Sequence, residues 1–130
     1  MKKILSVLSL ALVALAFVSC NKNTPEGVIE EYVSCMQKGQ YEEALDLFYF
    51  KKALTDKDKQ QYASLLRDKV GKELDKKGGI TGVEFTKVEV AEDGNTANAE
   101  YVLKYGDGTT KDEKAKLLKV DGNWKMDSGK

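Results

Sequence analysis

Three regimes of hydrophobic spacing divide the chain. Ile4 to Val18 form a nearly unbroken apolar run, with Ser6 and Ser9 as its polar members. From Val28 to Leu74 apolar residues recur every three or four positions, the period of helices. From Ile80 onward they alternate, the period of strands.

In the helical regime, Thr24-Pro25-Glu26 reads as a helix start: an N-cap, a proline at the first helical position and an acid in the first turn. Val28, Ile29, Tyr32, Val33, Cys35 and Met36 follow at helical spacing, and Gly39 ends the run. A second helix is predicted from about Gln40 to Phe50, on Tyr41, Ala44, Leu45, Leu47 and Phe48, making an αα-hairpin with the first. Thr55 and Asp58 have capping-box spacing for a third helix, whose apolar stripe is Tyr62, Leu65, Leu66, Val70 and Leu74. Gly71 weakens that helix by up to about 1 kcal/mol relative to Ala. Lys76-Lys77-Gly78-Gly79 ends it.

In the strand regime, Val83 and Phe85 share one parity while Val88 and Val90 share the other. Such a flip predicts a bulge. Ala97, Ala99, Tyr101, Leu103 and Tyr105 alternate cleanly. Ala115 and Leu117 face opposite to Leu118 and Val120 in a third strand. Asp121-Gly122-Asn123 is a hairpin turn, and Trp124 and Met126 alternate in the last strand. The expected architecture is α+β: three N-terminal helices packed on one face of a curved four-stranded antiparallel sheet.

The N-terminal run changes the picture of where such a domain resides. Lys2 and Lys3 precede it, and the small residue Ser19 follows it before Cys20, the layout of a secretory signal peptide. The run is shorter than the ~18–20 residues of a membrane-spanning helix. Phe17-Val18-Ser19-Cys20 resembles the lipobox of bacterial lipoproteins, with Phe17 where Leu is usual. The resemblance implies cleavage between Ser19 and Cys20 and a diacylglycerol on the Cys20 thiol, set against an ordinary cleaved signal in which Cys20 is incidental. Residues 1–19 are then a signal peptide, 20–24 a lipidated tether and 25–130 a single domain. Asn21 rather than Asp follows the cysteine. The resemblance therefore implies a lipid-anchored protein of a Gram-negative cell envelope, in its outer membrane.

Composition narrows the chemistry. Lysine plus arginine number 21 against 21 aspartate plus glutamate, mixed in sign along the chain. That is not a nucleic-acid-binding surface, which needs a clustered basic patch. Histidine is absent. A Ser-His-Asp triad, a Cys-His dyad and a His-based zinc site are thereby excluded. Of the two cysteines, Cys20 is assigned to lipid and Cys35 to the buried stripe of the first helix, where it reads as a small core hydrophobe. No metal, cofactor or catalytic residue is expected. Asp68, Glu73, Asp75 and Glu100 lie off the apolar faces, and no carboxylate is placed on the inner face of the sheet. Asp46, between core positions of the second helix, is the remaining candidate for a base, against its reading as a solvated acid. Lys51-Lys52 and Lys76-Lys77 could sit near anionic head groups, or be solvated.

Three stretches carry a wider resemblance: Thr24-Pro25-Glu26-Gly27-Val28-Ile29-Glu30-Glu31-Tyr32, Gly39-Gln40-Tyr41-Glu42-Glu43-Ala44-Leu45, and Val120-Asp121-Gly122-Asn123-Trp124-Lys125-Met126. With them the chain resembles the small bacterial lipoproteins of the domain-of-unknown-function 4878 family, lumazine-binding-like, in the nuclear transport factor 2-like superfamily. This implies a cone-shaped, cystatin-like roll around a pocket, and no set activity. Inward strand positions line the cone in that fold. Tyr32, Phe48, Tyr62, Tyr101 and Trp124 are the expected pocket lining, set against an ordinary core role for each. Two functions follow as expectations: a non-catalytic module for a small apolar or aromatic ligand, or an accessory lipoprotein working through contacts with an envelope protein. An isomerase- or dehydratase-like enzyme is a third.

Overall fold

The computed structural model describes residues 24–129. Residues 1–23, with Ser19 and Cys20, lie outside the described residues.

Helix α1 (Pro25–Lys38) starts where Thr24 Oγ1 accepts a hydrogen bond from Gly27 N at 3.0 Å. It ends at Gly39, whose φ of 73° suits a residue without Cβ. Val28, Ile29, Val33, Cys35 and Met36 are buried along it. It packs across the inner face of the sheet, and Gln37 Nε2 donates to the Ile80 carbonyl at 2.8 Å.

The second helix is shorter than its apolar spacing predicts. Helix α2 covers Tyr41–Leu45. After one turn the chain extends into β1 (Phe48–Tyr49), parallel to the last strand. Met126 N donates to the Leu47 carbonyl at 2.8 Å, and Ser128 N to the Tyr49 carbonyl at 3.3 Å. The run Phe48-Tyr49-Phe50 has strand-favouring side chains. The last strand would otherwise expose an unpaired edge. Together these outweigh the helical spacing.

The third helix is interrupted. Helix α3 (Asp56–Leu66) opens with the Thr55–Asp58 capping box, passes through a π-helical turn at Arg67–Gly71 and resumes as α4 (Lys72–Lys76). Gly71 is buried, and a Cβ there would meet the Tyr41 hydroxyl at 2.5 Å. Its missing side chain therefore makes room for α2 rather than merely weakening the helix. Leu65, expected on the buried stripe, is 52% exposed.

The sheet comprises β2 (Ile80–Val90), β3 (Thr96–Tyr105), β4 (Thr110–Val120) and β5 (Asn123–Asp127), with β1 at its far edge. Strand order is β1-β5-β4-β3-β2, so the sheet is five-stranded and mixed rather than four-stranded and antiparallel. The parity flip in β2 is a register shift between Phe85 and Lys87, leaving Thr86 as the extra residue. Phe85 and Val88 are thus both buried, while Val90, at the end of the strand, is 41% exposed. Asp121 and Gly122 both have positive φ, 51° and 82°, as a two-residue hairpin turn of the primed type requires.

The core lies between α1 and the face formed by Phe85, Val88, Ala97, Ala99, Tyr101, Leu103, Leu117, Trp124 and Met126.

Candidate functional site

Four aromatic rings form a row on the outside of this core. Tyr32 projects from α1, Phe48 from β1, Phe50 from the residue beyond it and Tyr62 from α3. Tyr32 meets Phe48 edge-on at 5.5 Å between centroids, Phe48 leads to Phe50 at 6.5 Å, and Phe50 stacks on Tyr62 at 6.1 Å and 28°. These separations fall in the range of favourable ring pairs. The row floors a cleft of about 260 Å³, walled by Leu45, Leu65, Leu66 and Val70, with Lys69 and Ser128 as its remaining polar members. Burial pushes the Tyr32 phenol up to about 12, with the charge of Glu113 adding to the effect. At neutral pH it stays a neutral hydroxyl.

Tyr32 and Val70 also wall a second cavity, of about 170 Å³, inside the cone. Tyr101, Tyr105, Leu103, Met36, Leu74 and Met126 line it, with Glu73, Lys111 and Glu113. Tyr101 is buried and its phenol lies well above its ordinary value, by desolvation first and then by the Glu113 charge. Glu113 corrects the expectation of an inner sheet face without carboxylates. The strand register sets it opposite Tyr101. Lys111 Nζ pairs with it at 3.4 Å.

A third concavity, about 430 Å³, opens on the other side of α1 against β2, lined by Glu30, Val33, Ser34, Gln37, Thr81, Gly82 and Val83. Burial and the neighbouring Glu26 raise the Glu30 carboxyl from 4.5 to about 7. Its Oε1 is buried without a hydrogen-bond partner. Glu26, one turn earlier, is itself buried and its carboxyl is raised by desolvation.

The expected pocket residues divide among these places. Tyr32, Phe48 and Tyr62 converge on the outer cleft, and Tyr101 on the cone cavity. Trp124 lines neither; it is buried on β5, with Lys119 Nζ 5.5 Å above its ring. Asp46 lies outside the cone, exposed, with its Oδ1 2.6 Å from Lys59 Nζ. That pair borders a depression of about 280 Å³ that shares Phe48 and Phe50 with the aromatic row. The Asp46 carboxylate is tied to a lysine in solvent, outside both the aromatic cleft and the cone cavity. Cys35 is buried in the core. Lys51 and Lys52 are exposed, and Lys77 packs over the Tyr105 ring at 4.7 Å and pairs with Glu73 at 3.7 Å.

Phe50, Lys69 and Glu30 are site residues that the hydrophobic pattern did not single out. Phe50 was visible as the third aromatic of a strand-like run. Glu30 had a weaker signal, an acid four residues after Glu26 on a helix with a wide apolar face. Among the described residues no group of three or more His, Cys, Asp or Glu is arranged to hold a metal, and no helix is long and apolar enough to cross a membrane.

This fold and its clefts can be set beside known proteins. The profile of a domain of unknown function, DUF4878, matches residues 18–127. The chain belongs to the DUF4878 family. Among solved structures, a candidate NTF2-like transpeptidase from Campylobacter jejuni superposes with a TM-score of 0.64 at 13% identity, covering 80% of this chain and 97% of that one. A SEC-C motif containing protein from Rhodopseudomonas palustris gives a TM-score of 0.54 at 11% identity, over 83% of this chain and 78% of that one. At such identities the likeness is one of fold, here the nuclear transport factor 2-like cone. No curated protein sequence matches this chain.

Proposed function

We propose that this DUF4878 protein is a lipid-anchored envelope protein that binds a small apolar or aromatic ligand without turning it over. The observation that carries the reading is the row Tyr32-Phe48-Phe50-Tyr62 at the floor of an apolar cleft. Rings with exposed edges, walled by Leu65 and Leu66, offer area that water solvates poorly. The anchor is the lipidated Cys20, and the place is the outer membrane of a Gram-negative bacterium. Binding asks for shape and a few polar handles. Catalysis asks for a titratable group poised at the reacting atom. In the cleft, the Ser128 hydroxyl donates to the Tyr49 carbonyl at 2.6 Å, and the chain has no histidine to activate it. The transpeptidase activity in the name of the Campylobacter protein is therefore not carried over.

A thermal-shift screen of the protein against small aromatic and aliphatic compounds tests the reading. Hits should stabilise the wild type and lose their effect in Phe48→Ala. A compound that stabilises both equally binds elsewhere. An alternative has its own observation: Leu65 stands 52% exposed on the lip of the cleft, as a residue covered by another protein would. No small-molecule hit, together with a stoichiometric envelope partner lost on Leu65→Asp, would favour that accessory role. Lipidation is tested separately by the intact mass of membrane-purified protein, expected to begin at acylated Cys20.

A further inference from the structure

The cleft-facing stripe of α3 and the π turn is Tyr62, Leu65, Leu66, Lys69 and Val70. Lys69 is its one charged member. π turns interrupt helices at functional sites more often than elsewhere. This one carries both Lys69, on the outer cleft, and Val70, on the wall between cleft and cone. The other lysines near these cavities are engaged. Lys59 is held by Asp46 at 2.6 Å, Lys77 by Glu73 at 3.7 Å and Lys111 by Glu113 at 3.4 Å. Lys125 Nζ donates to the Asp46 carbonyl at 3.3 Å. Lys69 makes no ion pair with a described residue.

A cation bordering an apolar cleft favours a ligand that is greasy at one end and anionic at the other. We propose that the cleft takes an anionic amphiphile, with its ring or chain among Phe48, Phe50 and Tyr62 and its carboxylate at Lys69 Nζ. This rests on the reading of the cleft as a ligand site and adds the ligand's class. A single ammonium suits a monoanion. A phosphate ester would call for a second cation or an arginine fork, and Lys69 is the cation among the cleft's lining residues.

Phenylbutyrate and phenylbutanol share a ring and chain and differ at the head group. Their affinities can be measured by isothermal titration of the full chain held in lipid nanodiscs, at low and at raised salt. The wild type should prefer phenylbutyrate by about 5-fold at low salt, the size a partly exposed ion pair supplies, and by less at raised salt. Lys69→Gln should erase the preference, weakening phenylbutyrate more than phenylbutanol. Lys69→Arg should keep it. Equal wild-type affinity for the two compounds overturns the head-group assignment and leaves the cleft reading standing. Failure of both compounds to bind, or binding that Phe48→Ala does not weaken, overturns the cleft reading with it.

Discussion

Helix α1 borders two concavities of opposite character. On one side Tyr32 enters an apolar cleft in which rings meet rings. On the other side Glu30 faces β2 with a carboxyl oxygen buried and unpaired. The same physical cause, removal from water, acts on both and with opposite consequences. It moves the Tyr32 phenol up to about 12, further from the physiological range. It brings the Glu30 carboxyl to about 7, so the opposite groove changes charge within that range. Size alone would favour the groove by Glu30. Chemistry favours the cleft, because its surface is hydrophobic without leaving a buried polar group unsatisfied.

Both concavities depend on the closed core beneath them, and the largest expected effect tests that dependence. Trp124→Ala should cost about 3–5 kcal/mol in a denaturant melt, the range for deleting a buried large aromatic. A loss under about 1 kcal/mol would mean that the core around β5 repacks freely and that neither concavity is rigidly held.

Phe48→Ala separates cleft from core. Its ring is half-buried, so a smaller loss of about 1–3 kcal/mol is expected, along with loss of ligand-induced stabilisation. A variant that melts early yet binds normally would place the ligand elsewhere.

The opposite groove is sharpened by Glu30→Gln. Glu30 binds its proton more tightly in the folded state than in the unfolded chain. Its contribution is therefore fully present below pH 4.5 and is lost as pH rises through about 7. The glutamine variant should match the wild type at pH 4. At pH 8 it should be more stable by about 1–2 kcal/mol, a figure that discounts the full shift for solvent at the groove mouth. Equal melting temperatures at both pH values would mean that Glu30 finds a partner in solution.

The smallest effect belongs to neither side. Asp46→Asn breaks an exposed pair with Lys59 and should change stability by at most about 1 kcal/mol. A larger loss would show that the pair braces α2 against α3.

The sequence made much of this legible, and the exceptions share a cause. Periodicity located α1 and the alternation of β3, because there burial follows one repeating face; the stripe from Tyr62 to Leu74 is broken by the π turn and by exposed Leu65. The parity flip between Phe85 and Val88 announced the bulge at Thr86. Periodicity misread Phe48-Tyr49-Phe50, whose conformation is decided by pairing with Met126 and Asp127 at the far end of the chain. It also misread Glu113, which sits in a charged run, Lys111-Asp112-Glu113-Lys114, and enters the cone through its register opposite Tyr101. Local spacing reports a residue's own element, and these residues are placed by a distant one. The cleft inherits the same division. Tyr32 and Tyr62 stand out as aromatics on helical stripes, whereas Phe50 and Lys69 gain their place from β1 and from the π turn.

The pairing of β1 with β5 also fixes when the cleft can exist. Ser128 and the Tyr49 carbonyl that accepts its hydroxyl hydrogen bond are 79 residues apart. Closing such a loop is paid for in chain entropy before any contact repays it, so long-range pairings of this kind form late. A nascent chain lacking its last few residues can build α1 and the β2–β3 hairpin, yet has nothing to hold Phe48 in place. The cleft should therefore form only once β5 is in place. A chain clipped after Val120 would keep most of its secondary structure and forfeit its cleft.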